Sequence, residues 1–504
     1  MACKEKNLNE NSSNITEHDI QKLSANERNT FEDELCKEYT CAVIDSPSDV
    51  FLYRSFDDRT VHNEELDWKV GRPSFYKSTL RCLFFAFSTT IIFGIPLGVY
   101  TATLAWLDLR LAEACYSKAW KGLPVSIKRV RLTAQVVEGV FIQFWSFSAL
   151  LFMFGIKQLK DLNIPVWNVL AASFDAIYRL FLHTYGVYHH SWTSYPLNVL
   201  FVAITTFNFY RITLLFSRDI KPRVILAAKL GMGFIFGTPL FILMNYLLFP
   251  VYARVPSDTT KAVFSVFLPV VFILPKAVIN VCLVDVSDYC STRYSSILVV
   301  GFHTIVIIIA RFLQANIEEI KIFTIICVVH GLESLFDKLT LNLRLKAYRK
   351  LCKSCAGIQD GKAQEKKRQS AMNRLLAEQS ISGMILETDT ILFSCALVAI
   401  LTFYYGNGNN KWNDMVTPFV ERVSIAASIE LIFNLLCTKV LTYYYNIPVI
   451  RVWRKRWWWI IAGMCTYTAY ATLYCTEYLY QPIVSHGLYN RSKLAACPNT
   501  TIAM

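Results

Sequence analysis

Asp175, Arg179 and His183 stand at i, i+4 and i+8 of one apolar stretch, residues 165–187. On a helix that spacing places all three on one face, with the acid ahead of the base in the favourable order. Two chemistries fit: a relay or ligand-binding polar seam, or a structural feature such as an internal ion pair or the wet stripe of an interfacial helix. A second constellation, Glu333 and Asp337, closes the stretch 322–340 within His330-Gly-Leu-Glu333-Ser-Leu-Phe-Asp337-Lys338. Like charges at i, i+4 repel, so a cation must neutralise them, and Lys338 or Arg311 of the preceding stretch is placed to do so. Paired carboxylates can bind cations or do acid/base work; structural pairing is the plainer reading. Glu138, Lys229, Lys276, Glu430 and Lys439 are further charges within or beside apolar stretches, read as inter-helix pairs or snorkelling side chains.

No catalytic constellation accompanies these charges. The chain has no P-loop, GxSxG, HExxH or dinucleotide fingerprint. His189-His190 has no acidic or cysteine partner at ligand spacing. Cys352-Lys-Ser-Cys355 is the one CxxC and lacks the second pair or nearby histidines that zinc requires. The sequence therefore predicts no catalytic residue, no metal, no cofactor and no enzyme.

The elements that must position these charges are membrane spans. Residues 82–106 run for 25 positions without a charge, and about 20 apolar residues suffice to cross the hydrocarbon core. With no water there, each backbone N–H must bond within its own helix. Eleven such segments occur, near 82–106, 136–156, 165–187, 196–216, 224–250, 262–284, 296–313, 322–340, 383–405, 419–444 and 458–480. The predicted fold is all-α: a polytopic transmembrane helical bundle of about 8–11 hydrophobic segments, some of them re-entrant or interfacial. Phe93-Gly-Ile-Pro96 and Phe236-Gly-Thr-Pro239 mark the first and fifth segments for a kink or a re-entrant turn.

Composition agrees. Of 504 residues, 54% are hydrophobic, 14% aromatic and only 18% charged, against about 25% charged in soluble domains. The net charge of +13 reads as basic loops meeting anionic lipid rather than as a nucleic-acid surface. Scattered cysteines such as Cys282, Cys327, Cys395, Cys437 and Cys465 behave as small hydrophobes.

The expected organisation is a polar, partly disordered N-terminal region 1–78 without a signal peptide, membrane helices over 79–343, a basic cytosolic loop 344–380, three further membrane helices over 381–482 and a short tail 483–504. Residues 344–374 carry ten Lys or Arg against two acids. Arg451, Arg454, Lys455 and Arg456 precede Trp457-Trp458-Trp459, a basic cluster beside an interfacial aromatic belt. Two spans separate these loops, so both sit in the cytosol and the tail lies in the lumen. Asn490 and Asn499, both in glycosylation sequons, fall in that tail, and Asn11 and Asn14 begin further sequons. The basic loop 110–131 breaks the parity: seven segments separate it from residue 344, so one must fail to cross, and the polar third is the first suspect.

Several collinear features resemble the transmembrane anterior–posterior transformation (TAPT) family. They are Ala134-Gln135-Val136 with Gly139-Val140 leading a span; Asp175 with Arg179-Leu180-Phe181 and Gly186; Ser287-Asp288 and Arg293-Tyr294 before a span ending in Arg311; and Glu333, Asp337 and Lys338 before the basic loop. The resemblance covers roughly 80–445. It departs from the family where a lysine-rich stretch is replaced by the apolar Ile273–Leu283, which puts any partner docked there in doubt. The resemblance implies a non-enzymatic protein of the endoplasmic-reticulum membrane, a scaffold or quality-control factor for protein folding or a factor in ciliogenesis. Its implied partners are membrane lipids and ER luminal or SUN-type membrane proteins, with no nucleic acid. The rival expectation is a transporter, channel or lipid scramblase, with a polar path through the bundle.

Overall fold

The computed structural model describes residues 75–113, 122–185, 191–217, 219–243, 257–287, 294–340, 362–405 and 412–485, together with 247, 248, 251, 252 and 255. The His189-His190 pair, the CxxC, Ser287-Asp288 except for Ser287, Arg293 and all four sequons lie outside them, as does most of the N-terminal region.

Among the described residues every regular element is helical. The α-helices are α1 Phe75–Ser88, α2 Ile95–Glu113, α3 Val125–Gln143, α4 Trp145–Phe154, α5 Ile156–Asp161, α6 Ile164–Thr184, α7 Tyr195–Ile212, α8 Ile220–Leu230, α9 Met232–Leu243, α10 Asp258–Val271, α11 Ile273–Ser287, α12 Ile297–Ala315, α13 Ile320–Leu339, α14 Lys362–Tyr405, α15 Trp412–Lys439 and α16 Val449–Ser485. The described residues of the eleven segments read from the sequence fall almost wholly on these helices. Among the described residues, six stretches are long and apolar enough to cross a membrane, and eight if each of two bent pairs counts as one span. The segments carried by α6, α13 and α16 fall outside that set.

Both proline-bearing segments resolve into specific geometry. The first is one stretch, Phe75–Leu111, in which a π turn over Thr89–Gly94 precedes Pro96. A wider turn accommodates the proline ring and its missing N–H without reversing the chain, so the stretch runs on as one span rather than as a re-entrant turn. In the fifth, the 51° bend falls between Leu230 and Met232, at Gly231, while Pro239 stays inside α9. The basic segment 344–380 is also reshaped. From Lys362 onward it is already the N-terminal half of α14, with Met372, Leu375 and Ala377 buried.

Helices α12 and α14 form the centre. Sixteen of the nineteen residues of α12 are buried, which places it inside the bundle and away from lipid. Around this pair stand α2, α10, α11, α13, α15 and α16. The first stretch meets α14 through Gly94, at the end of the π turn, and Gly98 of α2. A Cβ on either would come within 2.7 Å of Thr388 Cβ or Leu392 Cβ, so only glycine lets the two backbones approach this closely.

Helix α6 shows which solvent the bundle is built for. Val166, Trp167, Leu170, Phe174, Ile177, Leu180 and Phe181 all lie on its exposed side, while Asn168, Asp175 and His183 are buried. A helix in water does the reverse. Apolar side chains outside and polar ones inside are stable when the surroundings are hydrocarbon.

Candidate functional site

Three polar systems run through this bundle. The first joins α3 to α6. Gln135, Gly139 and Gln143 repeat the i, i+4, i+8 spacing of Asp175, Arg179 and His183, and the two rows face each other antiparallel. Gln143 Nε2 donates to Asp175 Oδ2 at 2.9 Å, and His183 Nε2 meets Gln135 Oε1 at 2.6 Å. Arg179 Nε donates to Asp175 Oδ1 at 2.5 Å. Gly139 sits between them: a Cβ there would come within 2.5 Å of both Arg179 Nε and Asp175 Oδ1. The expected one-sided face is present, but its polar stripe is sealed against α3 and is not wet. It continues inward through Asn168 and Asn208, which exchange amide hydrogen bonds at 3.0 Å in both directions, and Asn208 also donates to Ser146 Oγ at 2.8 Å.

The second system lies at the start of α12. Glu378, fully buried, accepts from the Ser296 backbone N–H at 3.1 Å and from Ser295 Oγ at 2.9 Å, with Arg456 Nη1 at 3.4 Å. A carboxylate there meets the positive end of the helix and satisfies a backbone donor that has no partner within the helix. The basic cluster is thereby divided. Arg456 turns inward to Glu378, while Arg454, Lys455, Trp457 and Trp458 stay exposed as a belt. Glu378→Gln keeps the shape and removes the charge. It is expected to lower stability by about 2 kcal/mol, the range for hydrogen bonds to charged groups, measured as a shift in unfolding of the detergent-solubilised protein. An unchanged transition would show that Glu378 does not carry this cap.

The third system surrounds a cavity of about 400 Å³ between α11, α12, α13, α14 and α15. Arg311 Nη2 donates to Glu430 Oε2 at 2.7 Å and Nη1 to Gln314 Oε1 at 3.1 Å. Arg311 thus serves Glu430, and the α13 acids meet other side chains. Asp337 takes Lys338 at 3.0 Å, and Glu333 lies 3.6 Å from His330 Nδ1. Both contacts stay within α13. Lys276, Arg311, Lys338, Glu333, Asp337, Glu387 and Asn434 all border the cavity, as do the apolar Phe272, Phe302 and Val306. Asp175, Arg179 and His183 do not. The lone charges also find places: Lys229 pairs with Asp285 at 2.6 Å and Lys439 lies 3.4 Å over the Phe75 ring.

Glu378, Glu387 and Asp389 went unread in the sequence, although Glu387 and Asp389 lie within the segment 383–405 and meet the same criterion as Glu333: an ionisable group in an apolar helix. Asp389 is buried against α2 and accepts from Thr101 Oγ1 at 2.6 Å. Among the described residues no group of three or more His, Cys, Asp or Glu is arranged to hold a metal ion.

The fold and its inverted polarity define an all-α helical bundle with the multi-pass character of a membrane protein. No protein-family model matches the chain, and no curated protein or solved structure matches it.

Proposed function

We propose that this chain is a carrier-type membrane protein, a transporter, channel or lipid scramblase, that admits a small ligand to the polar cavity beside α12. The observation that supports this is the unfilled space itself. A bundle needing only rigidity would close it with side chains, because interiors are packed to crystal-like density, yet here charged and amide groups border an opening of about 400 Å³. Gly383 sharpens the point. It lies within α14 and borders the cavity, and a Cβ added to it would meet nothing within 4 Å. Glycine costs a helix interior about 1 kcal/mol relative to alanine, a cost that kept space would explain. In this role the protein carries out no covalent step.

The test is native mass spectrometry of the full chain released from mild detergent. Wild-type protein is expected to carry a small-molecule adduct that Gly383→Leu lacks, with unfolding unaltered or raised. An adduct equally present in the variant, or absent from both, would defeat the reading.

A second reading is a scaffold or quality-control factor of the endoplasmic reticulum, or a factor in ciliogenesis, as the TAPT-like features imply. Its support is the sealed α3–α6 seam, which uses its charges to join helices and leaves no path. Proteins recovered with a tagged copy would then include folding factors or luminal SUN-type proteins, and Gly383→Leu would leave that recovery unchanged.

A further inference from the structure

We propose that Asp389 is a proton-binding site and that its proton is the coupling ion of the carrier. This rests on the carrier reading above and names what drives it.

Among the described residues four acids are buried: Asp175, Glu378, Asp389 and Glu430. Asp175 faces the guanidinium of Arg179, Glu378 that of Arg456 and Glu430 that of Arg311. Asp389, 1% exposed, faces no cation. Its polar neighbour is the Thr101 hydroxyl of α2, at 2.6 Å. The titratable groups on this side of the packed helices are Cys465 of α16 and, beside it, Tyr100 of α2, and neither carries positive charge. On its own helix, Glu387 lies two residues back, about 200° round the axis. A bare carboxylate is strongly disfavoured in such an interior, and an ionisable group at membrane depth marks an ion or proton path. A bound proton removes the charge.

Thr101 is placed to follow that proton. Its hydroxyl has one hydrogen and three acceptors within reach: Asp389 Oδ1, Gly98 O at 3.1 Å and Leu97 O at 3.2 Å. With Asp389 as the acid, its O–H donates to Thr101 Oγ1, and the Thr101 hydrogen goes to a carbonyl. With Asp389 ionised, Thr101 turns its hydrogen to Oδ1. Both arrangements fit the same oxygen positions, because a hydroxyl hydrogen rotates to suit. The step balances: the acid O–H bond breaks, its proton passes to a water, and the electron pair stays on the carboxylate. Release therefore needs water at the site. Gly94 and Gly98 hold the first stretch tightly against α14 here. A cavity of about 260 Å³ lies beside this contact, lined by Gly98, Ala102, Leu392 and Ala396 of the same two helices. Parting at the contact would admit water to Asp389. It would also move α14, which brings Gly383 and Glu387 to the border of the ligand cavity on another of its faces.

The experiment compares the full chain in mild detergent, wild type and Asp389→Asn, in acidic and in alkaline buffer, with two readouts. Infrared difference spectra are expected to show a carboxylic-acid C=O band in wild-type protein that fades in alkaline buffer and is missing from the variant. The fraction of wild-type protein carrying its native small-molecule adduct is expected to change by about tenfold between the buffers, within the usual range of coupling between two sites. In Asp389→Asn that fraction is expected to stay constant. Absence of the band from wild type overturns the proton site. A band with an adduct fraction that changes equally in both proteins, or in neither, overturns the coupling and leaves the cavity reading intact. An adduct missing from wild type in both buffers removes the carrier reading and the coupling with it. Should Asp389→Asn fail to fold, Thr101→Val keeps the acid and removes its hydroxyl partner. The band must then shift and the response of the adduct to pH must alter; an unmoved band overturns the assignment.

Discussion

Arg311→Met is expected to cost about 3–5 kcal/mol, because it strands a buried carboxylate that had a hydrogen-bonded cation. Arg311 is 7% exposed and Glu430 2%, so solvent cannot take over for the missing partner. Methionine keeps the length and fills much of the volume, which isolates the charge from the packing. Glu430→Gln is expected to cost about as much from the other side. The double variant Arg311→Met/Glu430→Gln is expected to recover most of the loss, since an uncharged pair of similar volume leaves no ion in a poorly solvating interior. Denaturation in mild detergent, carried through the complete double-mutant cycle, reads the coupling. Additive losses would mean the two side chains do not act as a pair, and the α12–α15 contact would need another explanation. The cycle also tests the role assigned to Arg311, since a cation serving Glu333 and Asp337 instead would couple to those residues and not to Glu430.

The second large effect concerns the α3–α6 seam. Gly139→Leu is expected to lower stability by about 3 kcal/mol or more. Overpacking alone costs about 1–3 kcal/mol, and the new side chain would occupy the space where Arg179 meets Asp175, separating a buried pair. Gly383→Leu inserts the same side chain into open space and is expected to be neutral or stabilising. The contrast between these glycines is the informative measurement, because propensity alone predicts a gain for both. If Gly139→Leu unfolds no earlier than wild type, the two helices do not approach as closely as the geometry requires.

These expectations separate what each level of description supplies. The spacing of Asp175, Arg179 and His183 already placed them on one face. Their partners carried the same spacing in the preceding segment, at Gln135, Gly139 and Gln143, but nothing in one chain says that two rows face each other antiparallel. Glu333 and Asp337 invited a cation from another helix, and the contacts they make along their own helix are to His330 and Lys338. Glu378 stood in a segment assigned to a basic loop, where a carboxylate is unremarkable. It became a helix cap only because α14 begins at Lys362 and carries it to Ser296.

What the amino-acid sequence determined by itself is the solvent and the class of fold. Long uncharged stretches can satisfy their backbone only as helices, and that follows from local composition and hydrogen bonding. What the tertiary structure alone decided is which charge meets which, that α12 lies at the centre, and that a space remains beside Gly383. Those outcomes depend on contacts between residues more than a hundred positions apart, such as Arg311 with Glu430. Burial makes such contacts strong, but the side-chain types do not encode which partner will be near.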